Sequence, residues 1–211
     1  MESSEITSQT TDILADFGEV ALDSVLEGVI KDIPILGTAV KLAKLSKTIT
    51  DHIFLLKIQK FLLELENISN EEKQALFRKL DNNPETKAKI GECLVLIINR
   101  LDDLEKAQIL AEIFLSLIQE KIDLETFRRL SSAIDIAFIE DLKKLIKDSR
   151  DSTCLNNLIR SGLAEILPRG VILEGYGLAR IRVKISELGE LFVSLMNGNH
   201  EKSRTGSRAV E

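Results

Sequence analysis

Tryptophan is absent from these 211 residues, tyrosine occurs once, and aromatic residues together make up only 4%. A hydrophobic content of 44% is nevertheless enough for a sizeable core, which must therefore be aliphatic. An interior of Leu, Ile, Val and Ala favours helix packing over sheet packing. The two cysteines, Cys93 and Cys154, lie in apolar helical patterns with no spaced framework around them, which excludes a disulfide scaffold. The opening MESSEITSQT is polar and acidic and lacks the pattern of a signal peptide. No apolar run approaches the roughly 20 residues that a spanning helix requires. These absences predict a reducing, cytoplasmic setting.

Charge of one sign is scarce only locally. The chain carries 28 Lys and Arg against 34 Asp and Glu, net −6. Residues 1–141 hold 16 against 26, net −10, whereas residues 142–211 hold 12 against 8, net +4. A mildly basic last third permits phosphate contact without demanding it.

Most of the chain shows helical spacing of apolar residues. Ile13, Leu14, Phe17, Ala21, Leu22, Val25 and Val29 share one face, and Asp32-Ile33-Pro34 ends that helix and starts the next. Further helices are predicted over 34–49, 51–68, a short segment after the capping signature Ser69/Glu72, 84–102, 104–121 and 124–148. The run Cys93–Ile98 is nearly all apolar and is expected to be the most buried helix. About seven helices with short connections imply a compact bundle.

The periodicity changes after DSRDST, residues 148–153. A short helix, STCLNNLIRSG, leads to AEILPRGVIL and LARIRVKI on either side of EGYG. In the second segment Ile181, Val183 and Ile185 alternate with Arg180, Arg182 and Lys184, the period-two pattern of a half-buried strand with a basic face. Ser186 is placed to cap a last helix, ELGELFVSLM. LIRSGLAEIL before the hairpin and ISELGELFV after it resemble the end of bacterial winged-helix domains. That resemblance spans about 45 residues and implies either DNA binding or protein contact. For a DNA reader it implies Asn156, Asn157 and Arg160 at bases and Arg169, Arg180, Arg182 and Lys184 at phosphates. The order KDIPILGTAVKLAK, a D-H-I-F helix start and an F-L-x-x-L helix end, within residues 28–146, is similar to small bacterial helical proteins from defence or mobile-element neighbourhoods.

Segment 34–49 is the chain's basic amphipathic helix, with Lys41, Lys44 and Lys47 opposite Ile35, Leu36, Val40 and Leu45. It suits either a bundle surface or an anionic membrane, whose contacts would be Ile35, Leu36, Val40, Lys41, Lys44 and Lys47. Other chemistry finds no support. DNNPETKAKIGE imitates a calcium loop at Asp81, Asn83, Glu85 and Glu92 but has Thr86 at the glycine position and lysines among the ligands. His52 and His200 are remote from each other, and Cys93 lacks an electropositive setting. Asp102, Asp103 and Glu105 read as a helix cap, and Asp135, Glu140 and Asp141 as a solvated face.

The sequence thus predicts a mainly α protein: a multi-helix bundle over 10–149 and a small winged-helix-like α+β unit over 150–196, with disordered ends at 1–9 and 197–211. The expected role is a non-enzymatic bacterial interaction or adaptor module that binds a protein partner, an accessory or regulatory component of a defence or mobile-element system. DNA-binding regulation and a membrane-surface effector role through 34–49, peripheral to the inner face of the membrane, are the alternatives. Self-association is compatible with all three, and neither cofactor nor metal is expected.

Overall fold

The computed structural model describes residues 48–66, 84–174 and 178–206, with the side chains of Ile49, Glu66, Pro84, Thr86, Lys87, 168–181 and 199–206 left aside. The described residues are mainly helical. In order they form α1 (Ile49–Glu66), α2 (Pro84–Arg100), α3 (Leu104–Ile118), α4 (Leu124–Ile136), α5 (Ile139–Lys147), α6 (Ser152–Leu158), β1 (Ala164–Glu174), β2 (Leu178–Ile185) and α7 (Glu187–Gly206). The chain divides into two compact units, Met1–Ala111 and Glu112–Glu211, and the division falls within α3.

In the first unit α1 packs against α2. The inward stripe of α1 is Phe54, Ile58, Phe61, Leu62 and Leu65, and that of α2 is Ile90, Leu94 and Ile98, each at the three-and-four spacing of a helix face. Thr48 opens α1: the Asp51 N–H donates to its hydroxyl, and that hydroxyl donates back to the Asp51 carboxylate. Two lysines are buried among the described residues of this unit. Lys57 gives its ammonium to the Asn99 carbonyl at 3.0 Å, and Lys106, 1% exposed, holds Asp102 at 2.6 Å. A buried cation must be paired in this way because desolvating it alone would neutralise it.

The most buried helix is α3, not the segment around Cys93. Nearly every residue from Lys106 to Ser116 is buried. In α2, Leu96 is 65% exposed because it continues the outward stripe Glu85, Lys89 and Glu92, and Cys93 is only half-buried. A contiguous apolar run circles the helix, so part of it must face outward. In α3 the polar members are accommodated: Lys106 by Asp102, and Ser116 by a hydroxyl bond to the Glu112 carbonyl at 3.1 Å.

In the second unit the predicted single helix over 124–148 is two. Asp123 caps α4 through the Thr126 N–H at 2.8 Å, and α4 buries Phe127, Leu130, Ala133 and Ile134. Ala137 and Phe138 are then extended, with ψ 148° and 138°, before α5 buries Ile139, Leu142 and Leu145. No glycine or proline marks this break. It turns Phe138 outward, 64% exposed, and brings Ile139 into the core instead. The charge order does carry a signal: Glu140 and Asp141 fall in the first turn of α5 and Lys144 and Lys147 in its last, as the helix dipole favours.

The hairpin follows the predicted boundaries. β1 and β2 form a two-stranded antiparallel sheet, pairing Ala164 with Ile185, Glu165 with Lys184 and Ile166 with Val183. The register then shifts, so that β1 residues 167–170 face Arg182 alone before Val171 meets Ile181. Pro168, which has no N–H to donate to the ladder, sits inside this irregularity. α7 begins as predicted and runs on to Gly206, past the apolar pattern that ends at Met196.

Candidate contact surface around α6 and the hairpin

The loop from α5 to α6 is tied by two aspartates. Asp148 accepts from the Arg150 N–H at 3.0 Å, and Asp151 caps α6 by accepting from the Thr153 and Cys154 N–H groups at 2.8 and 3.0 Å. Those bonds hold the Asp151 carboxyl below its ordinary value, the Cys154 N–H contributing most. α6 then sends Cys154, Leu155 and Leu158 inward and leaves Ser152, Thr153, Asn156 and Asn157 at the surface, as the following turn does Arg160. α6 packs on α5 and on both strands.

Cys154 is a core thiol. Its Sγ donates to the Asp141 carbonyl at 3.2 Å, and burial, reinforced by the Asp141 and Asp151 charges, pushes it up to about 11. Such a group is no nucleophile at neutral pH. Asp141, expected on a solvated face, is buried, and its Oδ1 accepts from the Asn157 side chain at 3.2 Å. The packing of α6 onto α5 covers it.

Gly162 has φ +80°, the left-handed conformation that ends the turn after α6. Across the unit, Ser186 holds this turn. Its Oγ donates to the Gly162 carbonyl at 2.6 Å, its N–H donates to the Leu163 carbonyl at 3.0 Å, and Oγ accepts from the Gly189 N–H at 3.1 Å. The cap predicted for α7 is therefore present and also fastens the hairpin's base. At Gly189 the two parts leave no room for a side chain: a Cβ there would lie 2.1 Å from the Leu163 carbonyl oxygen. The segments LIRSGL and ISELG, far apart in sequence, thus touch through their glycines and serine.

The expected nucleic-acid contacts fare unevenly. Asn156 donates to the Ser152 carbonyl at 2.8 Å, Asn157 is held by Asp141, and Lys184 pairs with Glu165 across the strands at 2.9 Å. That hydrogen bond raises the Lys184 ammonium above its ordinary value. Arg160 and Arg182 are exposed and have no ionic partner among the described residues. The side chains of Arg169 and Arg180 lie outside the described ones, as do all the candidate membrane contacts Ile35, Leu36, Val40, Lys41, Lys44 and Lys47. No helix among the described residues is long and apolar enough to cross a membrane. No group of three or more His, Cys, Asp or Glu residues among them could hold a metal ion. Of the four ligand-like positions of the calcium-like loop, Glu85 and Glu92 have described side chains, and Glu85 is paired with Lys89.

Comparison with protein-family models, with curated proteins and with solved structures finds no match.

Proposed function

We propose that the second unit is a winged-helix-like contact module that binds a protein partner and performs no reaction of its own. The order α5, α6, hairpin, α7 supports a winged-helix reading, with α6 in the position of a recognition helix. The observation that carries the protein-contact reading is the internal engagement of the groups a DNA reader would present. Asn157 is committed to Asp141 and Lys184 to Glu165, so binding phosphates or bases would first have to break those pairs. The exposed apolar residues of the same unit point the same way. Ile136 and Phe138 at the α4–α5 break and Ile166 on β1 are the kind of surface that a protein partner covers. An accessory or regulatory role in a bacterial defence or mobile-element system is consistent with such a module.

The test is a titration of the full chain with fluorescent duplex DNA at low salt. No saturable binding is expected. Binding that weakens steeply with added salt, and that Arg160→Glu or Arg182→Glu removes, would replace this reading with DNA recognition.

A further inference from the structure

Resting on the protein-contact reading, we infer that the outer edge of β2 accepts an extended acidic segment of a protein partner as a third strand, with Arg182 as its principal anchor. Four observations lead there. First, β2 pairs with β1 alone among the described residues, which leaves one edge of each strand without a ladder. α6 contacts both strands.

Second, only one of these edges is guarded. β1 carries Pro168 and the register irregularity, both of which spoil strand addition, whereas β2 has neither. Third, the backbone alternation is fixed. The Ser186 N–H bonds the Leu163 carbonyl, continuing the register in which Ala164 faces Ile185. Antiparallel pairs point their N–H and C=O groups alternately toward and away from the partner, so those of Ile185 and Val183 face away from β1. Neither residue makes a backbone bond to another element among the described residues.

Fourth, the chemistry of the added strand is already displayed on the other side. Lys184 meets Glu165 directly across the ladder at 2.9 Å, which shows that this face of β2 accepts a carboxylate opposite its cation. Arg182, two residues along on the same face, has no such carboxylate among the described residues, and β1 is irregular where it faces Arg182. An incoming strand alternating Asp or Glu with apolar residues would place one carboxylate opposite Arg182 and gain main-chain bonds to Val183 and Ile185. A different use of the same cations is to repel other strands and keep the edge single. The experiment separates the two.

The full chain is titrated with a fluorescein-labelled decapeptide alternating Glu with Val and Thr, and with a control of the same composition in which the glutamates form one block. The alternating peptide should bind about tenfold more tightly, and Arg182→Glu should weaken it about tenfold while Arg182→Lys retains most of the binding. Amide exchange at Val183 and Ile185 should slow when the alternating peptide is present, a readout that needs no variant. Equal binding of the two peptides, or indifference to Arg182→Glu, overturns the inference. Self-association of Arg182→Glu without peptide selectivity also overturns it, because the cations would then only guard the edge. Displacement of the peptide by duplex DNA would overturn the protein-contact reading itself. Loss of peptide selectivity with no DNA binding overturns the edge inference alone.

Discussion

Two of the places where the second unit interrupts its helices are made differently. Between α6 and β1 the chain is stopped by chemistry written into the residues: Gly162 at φ +80°, Ser186 bonded to both Gly162 and Leu163, and Gly189 admitting the Leu163 carbonyl. Between α4 and α5 no side chain caps the new helix. Phe138 occupies the cap position without a side-chain bond, and the extended Ala137 and Phe138 follow from which neighbours go inward. A break made of hydrogen bonds and close approach has narrow chemical tolerance. One made by packing accepts any residue with the right backbone angles.

The comparison can be broken most forcefully at Gly189. Gly189→Ala should destabilise the protein by about 3 kcal/mol, the upper part of the overpacking range, because the added carbon meets backbone rather than a side chain that could move. Denaturant unfolding followed by circular dichroism would show it, and a loss below about 1 kcal/mol would mean that the junction is looser than described. Ser186→Ala comes next. It removes an acceptor for the Gly189 N–H and a donor to the Gly162 carbonyl, and should cost about 1–2 kcal/mol.

A smaller effect is expected from acid. The Asp151 carboxyl is held below its ordinary value by the Cys154 and Thr153 N–H groups, and the Asp123 carboxyl likewise by Thr126. A group lowered in the folded state stabilises fully above its unfolded value, near about pH 4, and loses that contribution as pH falls through the folded one. Asp151→Asn keeps an acceptor for the cap and removes the titration, so the variant should lose less stability than the parent between pH 5 and 3, taken as about the relevant window. Equal losses would deny Asp151 this part.

Least of all should happen at Phe138, which sharpens the contrast. Its φ of −72° suits proline, Ala137 before it is already extended, and its own N–H makes no bond among the described residues. Phe138→Pro should change stability by less than about 0.5 kcal/mol, whereas proline inside a continuous helix costs about 3 kcal/mol. A large loss would show that the two helices are one.

Legibility in the sequence follows the same division. The hairpin was readable because Ile181, Val183 and Ile185 alternate with basic residues, and the start of α7 because Ser186 precedes an apolar helical stripe. Asp123 announced α4 and Pro84 announced α2, since local hydrogen bonding or fixed φ makes such positions visible in one residue. The break at Ala137 was hidden, because an unbroken helix would also have aligned Ile134, Phe138, Leu142 and Leu145. Asp141 looked solvated from its helix alone; its burial depends on Asn157 and Cys154, sixteen and thirteen residues further on. The candidate surface was half legible for the same reason. Strand alternation exposed Arg182 and Lys184, but the Glu165 partner required the register.

The clasp formed by Ser186 has a consequence for how this region can vary. Leu163 and Ser186 are joined by a 3.0 Å hydrogen bond at the foot of the hairpin, so the paired strands between them are closed at their root and the connection joining them is a separate, short loop. Lengthening such a loop costs only about 0.6 kcal/mol per doubling. The connection between the strands can therefore be lengthened at small cost, while the strand feet, fastened by Ser186 and contacted by α6, stay where they are.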